Sequence, residues 1–155
     1  MAGKKKIIII FLFLTSVGFA KEVYIGNAIL YSVVSGYTEG LRIRESSLTN
    51  NPAKQWELSS LWHKTAFLER GLAISLGITI SLHSKFDWKK MIAALFLSGA
   101  IYWNLFDGTI NLTTGRHFYD ISNETPAFTE RYGNFKIPVL IIASIVEILV
   151  EKHIL

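Results

Sequence analysis

The chain has 155 residues, half of them apolar and only 18% charged, with a net charge of +4 and no cysteine. Ordinary soluble domains carry about 25% charged residues, so this balance, with a mean hydropathy of +0.34, leans toward a membrane protein. The missing cysteines exclude disulfides, thiolate nucleophiles and zinc–thiolate sites, and no basic patch interleaved with aromatics points to nucleic acid as a partner.

Lys4, Lys5 and Lys6, an apolar run over 7–13, and then Gly18, Phe19 and Ala20 read either as a cleaved secretory signal or as an uncleaved signal anchor. The chain stays apolar over 23–37 and no proline interrupts residues 2–51, which favours one long uncleaved helix over about 5–45, spanning with its first half. Along the second half, Tyr24, Asn27, Tyr31, Ser35, Thr38 and Arg42 follow at steps of three and four, a continuous helical stripe. Gly36 and Gly40 form a small-xxx-small pair, the ordinary mark of close helix packing in membranes.

Asn50, Asn51 and Pro52 signal a turn, with proline suited to a first helical position. The second helix is expected over about 53–83. Its apolar part, 71–82, is short against the roughly 20 residues needed to span, so Glu69 and Arg70 are expected at the membrane interface. A short polar turn over 84–90 precedes a third helix over about 88–112. There Asn104, Asp107 and Asn111 stand at i, i+3 and i+7 on one face. A carboxylate at the end of a membrane-grade apolar run is costly and usually faces a partner, a cavity or water. A polar loop follows over 113–136, broken by Gly115, Pro126 and Gly133. The fourth helix is expected over about 137–152, with Glu147 and Glu151 marking its emergence into water.

These segments describe an all-α fold: a transmembrane bundle of about four helices, or three if the N-terminal segment is cleaved, in one domain over 1–155. Trp56, Trp62, Trp88 and Trp103 suit an interfacial aromatic belt, and the lysines of 4–6 and 85–90 favour an orientation with both termini cytoplasmic.

Three polar clusters fall at the outer ends of the first three helices. The binding candidates they supply are Glu39, Arg42, His63, Arg70, Asn104, Asp107, Asn111 and His117. If Glu39, His63, Asp107 and His117 converge, they offer a carboxylate and imidazole set able to hold a divalent metal or to act as acid and base. Ion pairs such as Asp107 with Arg70, or Arg42 with Glu39, account for the same residues without chemistry. No HExxH, ExxH or GxSxG pattern is present. The sequons at Asn111 and Asn123 are read as coincidental.

The order of these clusters has a counterpart. An apolar helix ending in Glu39 and Gly40, a histidine ahead of Glu69, Arg70 and Gly71, then Phe106 and Asp107 with Asn111, then Phe118 and Tyr119, resembles small helical membrane proteins encoded by bacteriophages and prophages. The resemblance implies a bacterial or phage origin, and with it a bacterial inner membrane, and no particular reaction.

The leading expectation is a non-enzymatic integral membrane protein in the lipid bilayer. It would bind a lipid head group, a partner membrane protein or a second copy through the polar cluster, with 108–136 as contact surface. No cofactor is required by the sequence. The alternatives are a membrane-embedded metal-dependent enzyme using Glu39, His63, Asp107 and His117, and a pore-former of the holin kind.

Overall fold

The computed structural model describes residues 20–48, 50–120 and 132–155. The first part of the expected N-terminal helix, the signal-or-anchor question and the Asn123 sequon lie outside these residues. Four helices run up and down: α1 (Ala20–Ser47), α2 (Pro52–Ser84), α3 (Trp88–Thr113) and α4 (Lys136–Glu151), with a 3-10 turn at Gly133–Phe135 leading into α4. No strand occurs among the described residues.

The helix limits follow local chemistry. Asn51 caps α2 by accepting a hydrogen bond from the Lys54 backbone N–H at 3.1 Å, and Pro52 opens the helix where its missing N–H costs nothing. The return from α2 to α3 is tight. Lys85 and Phe86 adopt left-handed backbone at φ 48° and 63°, and Asp87 caps α3 by accepting from Lys89 N–H at 2.9 Å. At the far end of α3, Gly115 takes φ +83° and turns the chain back.

The core is built from small residues. Ala28, Ala94, Ala100 and Ala143 are buried with Tyr24, Ile80, Leu97 and Ile101. Gly36 and Gly40 serve the packing expected of them. A methyl group on Gly36 would strike the carbonyl oxygen of Phe106, and one on Gly40 would come within 2.6 Å of Thr113 Cβ, so α1 lies directly on α3.

The outside is apolar. Ile74, Ile78 and Leu82 of α2, Ile92 and Leu95 of α3, and Ile141, Ile142 and Ile145 of α4 are all exposed. Among the described residues three segments, α2, α3 and Gly133–Glu151, are long and apolar enough to cross a membrane. At 26 residues, α3 alone runs about 39 Å. An apolar exterior of this extent is what a bilayer solvates, and the fold is a transmembrane helical bundle.

Helix α1 is arranged the other way round from a soluble helix. Tyr24, Asn27, Ser32, Ser35 and Thr38 are buried, whereas Ile29, Leu30 and Val33 face outward. The stripe read from the sequence is therefore real, with Tyr31 half-buried and Arg42 exposed at its end. It lies inside the bundle, level with the apolar runs of its neighbours. Asn27, for example, donates to Ser75 Oγ at 3.1 Å and Thr79 Oγ1 at 3.2 Å on α2.

Candidate functional site

The residues singled out on α3 hold the end of the bundle where α2 and α4 begin. Asn104 donates to the Lys136 carbonyl at 3.0 Å and to the Ala100 carbonyl at 2.9 Å. One turn on, Asp107 meets the Lys136 ammonium at 2.6 Å, a charge contact that ties α3 to the start of α4. The expected partner, Arg70, is exposed and makes no ion pair among the described residues. Asn111, buried, donates to the carbonyls of Phe118 at 3.2 Å and Asp120 at 2.7 Å. These bonds fold residues 114–120 back over α3, where the Phe118 ring fills the space above Gly108. Three polar residues on one helix face thus become brackets, each with its acceptors or counter-charge already supplied.

The other candidates stand apart from one another. Glu39 accepts two hydrogen bonds from Arg42, at 2.9 and 2.5 Å, along the surface of α1. That contact, the hydrogen bond first and the charge second, raises the Arg42 guanidinium further above its ordinary range. Glu69 faces inward and accepts from Ser35 at 2.6 Å. His117 is exposed, and its backbone N–H donates to the Asp120 carboxylate at 2.9 Å. His63 is exposed and stacks on Trp62, ring centroids 3.7 Å apart, while the Trp62 indole N–H donates to Glu45. The expected convergence of Glu39, His63, Asp107 and His117 into one metal or acid–base set does not occur. Each stands on a different segment and is turned to its own local partners or to solvent.

What remains open at this end is one face of α2. Trp56, Ser59, Ser60, His63, Lys64 and Phe67 line a shallow groove of about 710 Å³. Trp56, Ser60, His63, Phe67 and Arg70 recur at steps of four and three, one stripe of the helix. Trp56 is 76% exposed and Phe67 81%. The same stripe continues into Ile74 and Ile78, which are exposed on the apolar exterior.

At the opposite end, ionisable groups do converge, and they are ones the sequence reading placed elsewhere. Among the described residues, His83, Glu147 and Glu151 are the one group of three or more metal-ligating side chains whose ligand atoms all lie within 4.8 Å. Glu147 was expected to emerge into water; it is 2% exposed. Tyr24 of α1 donates to its Oε1 at 2.6 Å, and His83 Nε2 of α2 stands 3.1 Å from the same oxygen. The rule applied to Asp107, that a carboxylate in an apolar run must face something, applied equally to Glu147 at the end of 139–146. Its partners come from helices one and two, which is why helix spacing alone did not reveal them.

No protein-family model, curated protein or solved structure matches the chain.

Proposed function

We infer that the chain is an integral membrane protein of a bacterial or phage membrane that binds the head group of an anionic phospholipid on the open face of α2. The observation that carries this reading is the continuity of one helix stripe. Ile74 and Ile78 lie on the apolar exterior, so the residues above them on the same face rise through the membrane boundary. Arg70, one turn above Ile74, reaches the phosphate level. Phe67, and then Lys64 and His63, follow within about 10 Å of Arg70, taking 1.5 Å per residue.

The chemistry of that stretch suits a phosphodiester. In the groove Lys64 supplies a cationic donor and Ser59 and Ser60 supply hydroxyls, bracketed by Trp56 and Phe67, rings of the kind that settle at the lipid–water boundary, and Arg70 adds a second cation one turn beyond Phe67 on the same stripe. Two carboxylates nearby are engaged elsewhere, Glu69 by Ser35 and Glu45 by Trp62, and Glu57 is exposed beside Trp56, toward the end of α2 away from Arg70. Asn104, Asp107 and Asn111 shape this end of the bundle, whereas His63, Lys64 and Arg70 are left to meet the ligand.

The test compares retention of phosphatidylglycerol and phosphatidylcholine by the full chain in mixed nanodiscs, read by native mass spectrometry. Wild-type protein is expected to prefer the anionic lipid. The double variant Lys64→Gln, Arg70→Gln is expected to lose about 1 kcal/mol per cationic residue, roughly thirtyfold in that preference. Equal retention of both lipids by wild-type protein would sink the reading, as would an unchanged preference in the variant.

A further inference from the structure

We propose that His83, Glu147 and Glu151 form a three-ligand site for a divalent transition-metal ion at the end of the bundle where α1 begins. This proposal does not depend on the lipid reading, which concerns other residues at the other end.

The geometry comes first. His83 Nε2 stands 3.1 Å from Glu147 Oε1 and 3.4 Å from Glu151 Oε1. Adjacent ligand atoms on a tetrahedral ion with bonds of about 2.1 Å lie roughly 3.4 Å apart. Two carboxylates therefore converge on one imidazole nitrogen. A proton on Nε2 can point squarely at only one of them, whereas a metal ion sits at the point all three share.

Charge and burial come next. The His83 side chain is 5% exposed and that of Glu147 3%, so the imidazole and one carboxylate are closed to water, with the Glu151 carboxylate at the rim. A carboxylate as buried as that of Glu147 is costly unless a cation or hydrogen-bond donors offset it, and a divalent ion at this point does so. The second oxygen of Glu147, Oε2, is buried and has no hydrogen-bond partner among the described residues. It is a ligand atom in reserve, able to make Glu147 bidentate.

The surroundings are those of a supported metal ligand. Tyr24 donates to Glu147 Oε1 at 2.6 Å and holds the carboxylate in place, and its ring packs against the His83 ring at a centroid distance of 4.6 Å. Glu151, in the last turn of α4, has a side chain 30% exposed, which gives the site its opening to water. One imidazole with two carboxylates suits Zn²⁺, Fe²⁺ or Mn²⁺, and three protein ligands leave a coordination position for water.

The test uses Zn²⁺ and Co²⁺ alone on the full chain in detergent, after chelator treatment and buffer exchange. Wild-type protein is expected to bind about one Zn²⁺ per chain by mass spectrometry. Co²⁺ is expected to give the visible absorption of a low-symmetry nitrogen and oxygen site. His83→Ala and Glu147→Gln are expected to lose the metal. Glu151→Gln changes a partly exposed group, so it keeps the fold if either buried variant does not, and is expected to weaken binding at least tenfold. Tyr24→Phe is expected to retain the stoichiometry and weaken affinity by about ten- to a hundredfold, as loss of a supporting hydrogen bond does. Absence of bound Zn²⁺ in folded wild-type protein overturns the proposal, and so does full occupancy in a folded His83→Ala or in Glu151→Gln.

Discussion

At the end of the bundle where α2 and α4 begin, Glu39 holds Arg42 three residues away on the same helix. At the other end, Tyr24 reaches Glu147 across 123 positions and His83 reaches it across 64. Most charges at the first end are paired along the chain or exposed, and water shares the work of solvating them; Asp107 and Lys136, the inward pair that ties α3 to α4, neutralise each other. Ionisable groups at the second end are drawn from three helices, and Glu147 lies where protein groups or an ion, and hardly water, can satisfy it. The contrast assigns different jobs to the same residue types. The lipid head group proposed for the open end and the single ion proposed for the closed one follow that difference.

The first way to break this comparison is at Tyr24. Tyr24→Phe removes the donor to a buried carboxylate and changes nothing else in shape. Hydrogen bonds to charged groups contribute about 1.5–3 kcal/mol, so a loss near 2 kcal/mol is expected for unfolding in detergent, with chelator present so that metal does not enter. The control, Tyr119→Phe, alters a residue 72% exposed and is expected to leave the midpoint unmoved. Equal midpoints for both variants would mean that the closed end is no tighter than the open one.

The helix pattern was legible because it is written locally. Proline at 52, the turn residues around 50–51 and 84–90, and the apolar runs between them place the observed helices within a residue or two of the expected limits, residues before 20 aside. The bundle character was legible for the same reason. Pairing across the bundle was not, because it depends on how helices rotate against each other. Asn104, Asp107 and Asn111 do share a face as their spacing requires, yet spacing could not say that Lys136 and the 118–120 carbonyls wait opposite them. Glu147 shows the converse. Its spacing from Glu151 reads as a helix leaving the membrane, and only the placement of Tyr24 and His83 beside it turns that reading around.

A second test sharpens the view of Asn111 as a bracket and not a ligand. Asn111→Ala removes two hydrogen bonds to the backbone of residues 118 and 120 and leaves their carbonyls near solvent, where water can replace the lost donor. The expected cost is about 1 kcal/mol, smaller than at Tyr24, and local. Tryptic cleavage after Arg116 is expected to speed up while the global midpoint moves little, and anionic lipid retention on α2 is expected to persist. If lipid preference collapses instead, Asn111 belongs to the binding surface and the separation of scaffold from site at this end is wrong.

The smallest effect is expected at Glu39, the acidic candidate with the shortest contact to a cation on its own helix. Glu39→Gln removes the charge while keeping the shape, and its partner Arg42 has a side chain 61% exposed. In that setting water already solvates the guanidinium, and holding two long side chains in one geometry offsets most of the attraction. Stability is expected to change by less than about 0.5 kcal/mol, and the change to vanish at high salt. A loss comparable with that at Tyr24 would require Glu39 to meet more than Arg42. The open end would then contain a buried site of its own, and the division between an outward-facing end and an inward-holding end would fail where it is most easily measured.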